Sequence, residues 1–350
     1  MKPSRPAAAL LAGVIGLTAC TADAAPASPT PSPTPVAGRE HRAHTPPPDA
    51  TPVPDRHSEE LRLVANLAKD EHSFDFFNSD LAFWGDLAVQ GSYDGFRIID
   101  ISTPTAPRLV ADVECRGPQG DVSIWEGLVF VSVDRPVTDP GCDAEDAADA
   151  DPATMPESGG WEGIRVFDIS RPTEPELVAS VFTDCGSHTH TLVPDPDHGR
   201  VLLYVNSYAL RQEPEIAPDC INPHGHISVV EVPLDDPAAA RVVSQPHLFD
   251  TPAWEVWPGA PAGWHDTVGC HDISLYLPLQ LAAAACMSEG QIWDISDPER
   301  PVTLAHVDLP DVTFWHSAAW SNDGSVVGFG DENLSEEGCN DMPLGAIWFY

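Results

Sequence analysis

Positive charge is scarce in this chain. Across 350 residues, 17 Lys and Arg face 54 Asp and Glu, a formal net charge of −37, and the only lysines are Lys2 and Lys69. Phosphate binding needs a basic surface, so no nucleic-acid partner is expected. The loss of lysine reads as compositional bias, and the acidic excess as a self-repelling surface that attracts cations. Also missing are a G-x-S-x-G elbow, H-E-x-x-H, a P-loop and a dinucleotide fingerprint. None of the eight cysteines forms C-x-x-C, which leaves a redox motif or zinc ribbon without support. The acidic run Asp139 to Pro152 lacks the glycine turn and ligand spacing of a calcium loop, so it reads as a solvated loop.

No apolar run is long enough to span a bilayer. The one candidate, "PAAALLAGVIGLTA", is short, follows Lys2 and Arg5, and reads as a secretory signal. It ends in Leu17-Thr18-Ala19-Cys20, which looks like a bacterial lipobox with Cys20 as the lipid-modified first mature residue. The other reading is an ordinary signal peptide with an incidental cysteine. Residues 21–57 carry ten prolines among Ala, Ser and Thr, a composition that stays extended. The expected organisation is a signal peptide over 1–20, a tether over 21–57 and a folded region over 58–350. Membrane contact is expected through the lipid anchor only, on the outer face of a bacterial cytoplasmic membrane.

What is present is a repeat. "GFRIIDISTPTAPRLVADV" (Gly95 to Val113) returns as "GIRVFDISRPTEPELVASV" (Gly163 to Val181) and "GQIWDISDPERPVTLAHV" (Gly290 to Val307). A degraded copy reads "HISVVEVPLDDPAAARVVS" (His226 to Ser244). The acidic positions Asp100, Asp168, Glu231 and Asp294 fall 68, 63 and 63 residues apart, the signature of a repeat architecture. Each copy reads as two strands around an x-Pro-x-x-Pro turn. Two more strands precede it, beginning at Asp80, Asp121, His190, Asp272 and His316. An aromatic or proline follows four residues later: Trp84, Trp125, Pro194, Tyr276, Trp320. Four-stranded units in series predict an all-β protein, a β-propeller with about five blades visible.

"FRIID" and "IRVFD", followed by Ser-x-Pro-x-x-Pro and "LVA", resemble the LVIVD-repeat β-propellers of bacterial surface proteins. The resemblance covers about residues 60 to 350 and implies architecture, with no single reaction attached. "LRLVANLA" (Leu61 to Ala68) reads as a lone outer strand, and the closing "GAIWFY" as a third strand stopping short of its Asp. Either the first completes the last blade, or the chain is a fragment of a larger propeller; the second is favoured.

In such a blade the connections before the first strand and after the second share one face. The long insertions Asp134–Gly160, Ser207–Gly225, Ser244–Gly269 and Asp331–Gly345 all fall there, which makes it the expected binding face. Cys115, Cys185 and Cys270 lie just before first strands; Cys142, Cys220 and Cys286 follow the matching second strands. One disulfide within each blade is expected, with Cys339 left over. The first-strand positions Asp80, Asp121, His190, Asp272 and His316 form a ring at the channel mouth, with His188 and His271 beside it and His224, His226 and His265 on nearby loops. A divalent transition metal held by His190, His271 and His316, with His188 or Asp272 in support, is one reading. Short polar residues bonding the turn of their own blade is the other. The expected function is a lipid-anchored module binding a protein, glycan or small ligand. The alternative is a metal-dependent, oxidoreductase-like enzyme, by fold-level likeness to methanethiol oxidase and the selenium-binding proteins, propellers with histidine-rich funnels.

Overall fold

The computed structural model describes residues 63–68, 77–150, 159–207, 217–218, 220, 224–248, 269–287, 289–307, 309, 312, 314–332 and 345–350. The chain is all-β, arranged as five antiparallel sheets in series. The first is β1 (Asn78–Trp84), β2 (Leu87–Ser92), β3 (Gly95–Asp100) and β4 (Arg108–Glu114). The second is β5 (Gln119–Trp125), β6 (Leu128–Val137), β7 (Trp161–Asp168) and β8 (Glu176–Phe182). β9 (Thr189–Asp195), β10 (Arg200–Asn206), β11 (Ser228–Pro233) and β12 (Arg241–Ser244) make the third. β13 (Asp272–Tyr276), β14 (Leu281–Cys286), β15 (Glu289–Asp294) and β16 (Val302–Val307) make the fourth. The fifth has β17 (Trp315–Trp320), β18 (Val327–Asp331) and β19 (Ile347–Phe349). Each sheet is a meander with strands in chain order, as the repeat requires. Residues 63–68 form no strand, so among the described residues the fifth sheet has three strands.

The repeat motif explains its own geometry. The Asp of Asp-Ile-Ser accepts the backbone N–H two residues on: Asp100 from Ser102 at 2.9 Å, Asp168 from Ser170 at 2.7 Å, Asp294 from Ser296 at 2.8 Å. This side-chain-closed turn ends the third strand and hands the chain to the prolines. These bonds, together with Arg108, hold the Asp100 carboxyl down at about 2. A bulge recurs at one repeat position in every complete third-to-fourth strand pair that carries the motif or its degraded copy. The register slips between Ile98 and Ile99, Val166 and Phe167, Val229 and Val230, and Ile292 and Trp293. One extra outer-strand residue each time strengthens the local twist. The glycine that opens the motif has φ +146° at Gly95 and +139° at Gly163, where a Cβ would meet a carbonyl of the outer strand.

Alternation along each strand sends its two faces to different neighbours. In β10, Leu202 and Tyr204 pack toward the fourth sheet, while Val201, Leu203 and Val205 pack toward the second. Four main apolar clusters result, one between each consecutive pair of sheets. Phe96 of the first sheet meets Phe167 of the second edge-on at 4.9 Å. The first strands β1, β5, β9, β13 and β17 pack side by side in chain order around an axis. The four-residue aromatic spacing takes its place there: Trp84 lies 5.3 Å from Trp125 and Tyr276 5.8 Å from Trp320.

Cys115–Cys142, Cys185–Cys220 and Cys270–Cys286 are disulfide-bonded, each within one blade and on the face of the long insertions. Such bonds form in oxidising compartments. No described helix is long and apolar enough to cross a membrane. Arg165, wholly buried on β7, donates to the carbonyls of Pro140 and Gly141, tying the first insertion down beside its disulfide. A non-reducing peptide map should return these three pairs, and reduction should lower the unfolding midpoint, with about 2–4 kcal/mol at stake per loop. Unchanged stability after full reduction would contradict a structural role for them.

Candidate functional site

The first strands of the blades carry chemistry as well as packing. Asp80 Oδ2 accepts the N–H of Val122 in the next blade at 3.3 Å, and Asp121 Oδ2 that of His190 at 2.8 Å. Asp272 likewise accepts from the backbone of Ala318. The carboxylates staple each blade to its successor, in addition to any bond within their own. The third blade has His190 at this position and uses hydroxyls instead: Thr189 donates to the carbonyl of His271 at 2.5 Å, and Thr191 to that of Ile273 at 2.7 Å.

Staples of like charge crowd together. Burial pushes the Asp80 carboxyl up to about 6, and the neighbouring Asp121 carboxylate adds to the rise. Asp272 is also raised to about 6, by burial first and then by Asp121. A cleft of about 300 Å³ opens beside them, lined by Asp80, Tyr93, Gln119, Asp121 and Thr189 among others. Gln119 accepts from the Tyr93 hydroxyl at 2.8 Å and faces His188 Nε2 at 3.2 Å with its amide nitrogen.

The imidazoles at the mouth fall into two groups. His188, His271 and His316 form a row: His188 and His271 Nε2 atoms are 2.9 Å apart, and the His271 and His316 rings stack at 3.8 Å. Asp134 Oδ2 lies 3.2 Å from His188 Nδ1, and Glu332 Oε2 3.5 Å from His316 Nε2. Burial, helped by the flanking imidazoles, pushes His271 down to about 2 and keeps it neutral. Burial also lowers His316, against the pull of Glu332. His190 stands apart from this row. Its side chain is wholly buried, with Nδ1 2.8 Å from Ser132 Oγ and Nε2 2.6 Å from Ser123 Oγ. Asp121 Oδ2 is 3.0 Å from the same Nδ1, so hydroxyl, imidazole and carboxylate follow the order of a nucleophilic triad. With Ser132 sharing Nδ1 and the ring sealed from solvent, we read this as a satisfied polar core.

A third group lies outside the mouth. Asp184 Oδ2 is 2.8 Å from His226 Nε2 and 3.1 Å from His224 Nε2. Burial would raise the Asp184 carboxyl, but hydrogen bonds from the two imidazoles outweigh it and hold the group well below the usual range.

With this geometry in place, the family comparison is direct. The LVIVD repeat family matches residues 83–114 and 159–183. The chain carries LVIVD repeats. The two matched stretches hold β2 to β4 and β7 to β8; the copies at β11–β12 and β15–β16 fold alike although the match does not extend to them. No curated protein matches. Among solved structures, Kuenenia stuttgartiensis hydrazine synthase is 8% identical, with 79% of this chain and 62% of that one covered at a TM-score of 0.47. A hypothetical selenium-binding protein from Sulfolobus tokodaii is 14% identical over 73% of this chain and 58% of that one, at 0.45. A luciferin-regenerating enzyme is 10% identical over 79% and 78%, at 0.43. The chain spans about three-fifths of the first two of these structures, and likenesses this distant carry no chemistry across.

The repeat register points at Asp80, Asp121, Asp272 and His316 from sequence alone. Gln119, Asp134, Asp184 and Glu332 carry no such signal, because they stand off the repeated first-strand position, two on strands and two on connections. Cys20, Cys339 and His265 lie outside the described residues, as do 151–158, 208–216, 249–268 and 333–344 of the insertions.

The Asp80 shift has a testable sign. Its carboxyl ionises near 3.8 when unfolded and near 6 when folded, so the native state holds the extra proton between those values. The stability it contributes is present below pH 4 and lost as pH rises through 6. Asn keeps an acceptor for Val122 and a donor for Asp121. Asp80→Asn should therefore match the natural chain near pH 4 and exceed it at pH 8 by roughly 1 kcal/mol, allowing for solvent screening. Thermal melts at the two pH values decide it; a variant less stable at pH 8 sinks the idea.

Proposed function

We propose that this chain is an exported, lipid-anchored β-propeller that works as a binding module, taking a compact cationic ligand at the mouth of its channel. One observation carries the reading: Asp80 and Asp121 line a small cleft, Asp272 lies near enough to feel both carboxylates, and among the described residues no Lys or Arg pairs with any of the three. Buried like charges raise one another's energy, and a bound cation relieves them all at once. The rigid first strands fix the carboxylates, while the long connections of the same face supply a variable rim. Export is supported by the leader and by three disulfides, and anchoring by the Leu-Thr-Ala-Cys ending before a proline-rich tether.

Calorimetric titration with a primary diamine and with Ca²⁺ tests the site. Binding of either probe should weaken at least tenfold in an Asp80→Asn/Asp272→Asn double variant. Equal binding by that variant would remove the mouth as the ligand site. Cys20→Ala should shift the protein from the membrane fraction to the soluble one, or block its processing. Unchanged fractionation and mature mass would speak against the anchor.

The row of His188, His271 and His316 favours a second reading, a transition-metal centre supporting redox chemistry at the same mouth. Closely packed imidazoles are good ligands for such ions, and Asp134 and Glu332 stand where orienting carboxylates would. Metal analysis of protein purified without chelators separates the two readings: this one requires an ion that His271→Ala loses.

A further inference from the structure

We propose that Asp184, His224 and His226 form a binding site for a zinc-class divalent ion on the rim of the third blade, separate from the channel mouth. The residues come from two connections of one blade. Asp184 lies in the turn between β8 and β9, and the histidines stand just before β11. Both imidazoles aim Nε2 at a single oxygen, Asp184 Oδ2, and the three ligand atoms lie within 4.8 Å of one another. Zinc binds such nitrogens and oxygens at about 2.0–2.2 Å, so an ion fits between them after an outward shift of a few tenths of an ångström. Two imidazoles and one carboxylate select a borderline transition metal over calcium or magnesium, which prefer all-oxygen cages.

The surroundings are those of a built site. Asp184 Oδ1 receives Gln245 Nε2 at 2.7 Å and Ser228 Oγ at 3.3 Å, which keeps Oδ2 turned toward the rings. Such outer contacts are what orient a ligating carboxylate. His224 has a side chain only 3% exposed, and its Nδ1 has no partner among the described residues. An ion that takes Nε2 leaves the ring proton to Nδ1, which no described group contests. His190 shows the contrast, with both ring nitrogens engaged by serines. Asp184 and His226 are 22% and 24% exposed, which leaves an approach for the ion and a place for water as fourth ligand. The Cys185–Cys220 disulfide ties the residue after Asp184 to the segment leading into His224, so the site is preassembled by a covalent clamp.

The test uses the full mature chain with its disulfides intact, stripped by a chelator and titrated with Co²⁺ as a spectroscopic stand-in for zinc. One equivalent should develop the visible bands of a four-coordinate Co²⁺ centre, and Zn²⁺ should displace it. His226→Ala should abolish the bands and weaken Zn²⁺ binding at least tenfold. His226→Gln, whose amide retains a hydrogen bond to Asp184, should do the same while preserving the thermal unfolding profile. His271→Ala should leave this centre intact, which separates it from any ion at the channel mouth. The proposal is overturned if the natural chain binds no more Co²⁺ than the His226 variants. It is equally overturned if the bands survive in both His226 variants or vanish with His271→Ala.

Discussion

The contact between consecutive blades at their first strands is what the rest of this structure depends on. A four-stranded sheet with apolar residues on both faces has no stable existence alone; here four interfaces bury the facing sides of the five consecutive sheets. Burial of those faces is the driving force, but it is non-directional and tolerates sliding. Direction comes from the polar bonds of the innermost strands. A carboxylate or hydroxyl of one blade is bonded to the backbone of the next, which fixes register and spacing around the axis.

That solution creates the chemistry of the mouth. Because each staple occupies the same position of each blade, the stapling groups converge on one ring. Three of the five positions are Asp, and burial, with repulsion from the Asp121 carboxylate added, raises Asp80 and Asp272 above ordinary carboxyl behaviour. The third blade departs from the pattern. His190 replaces the carboxylate, faces back into the second blade, and leaves its link to the fourth blade to Thr189 and Thr191. The imidazole row then arises from His188, two residues before His190, together with His271 and His316.

The rim follows a different logic. Its connections are long, and their described parts are held by covalent and polar clamps beside a small apolar cluster of Val133, Val137 and Ala144. Disulfides close three of the blades on this face, Arg165 wires one insertion to backbone carbonyls, and Asp184 gathers two histidines across a turn. Titratable groups of the rim therefore sit on connections that a rigid scaffold holds in place.

The sequence by itself determined the repeat, the four-strand unit, the pairing of six cysteines and the ring of first-strand positions. All of these follow from periodicity, since a fixed spacing puts equivalent residues at equivalent places whatever the side chains do. It could not determine where those side chains point. Spacing groups His190 with His271 and His316, yet rotamer and neighbour place His190 against Ser123 and Ser132 and bring His188 to His271 instead. The Asp184 group was equally hidden, because its members lie 40 and 42 residues apart in the chain and meet only when two loops of one blade fold onto the same edge. Periodicity fixes which strands are neighbours; the orientation of a polar side chain is decided by whichever donor or acceptor burial leaves within reach, and only the tertiary structure supplies that.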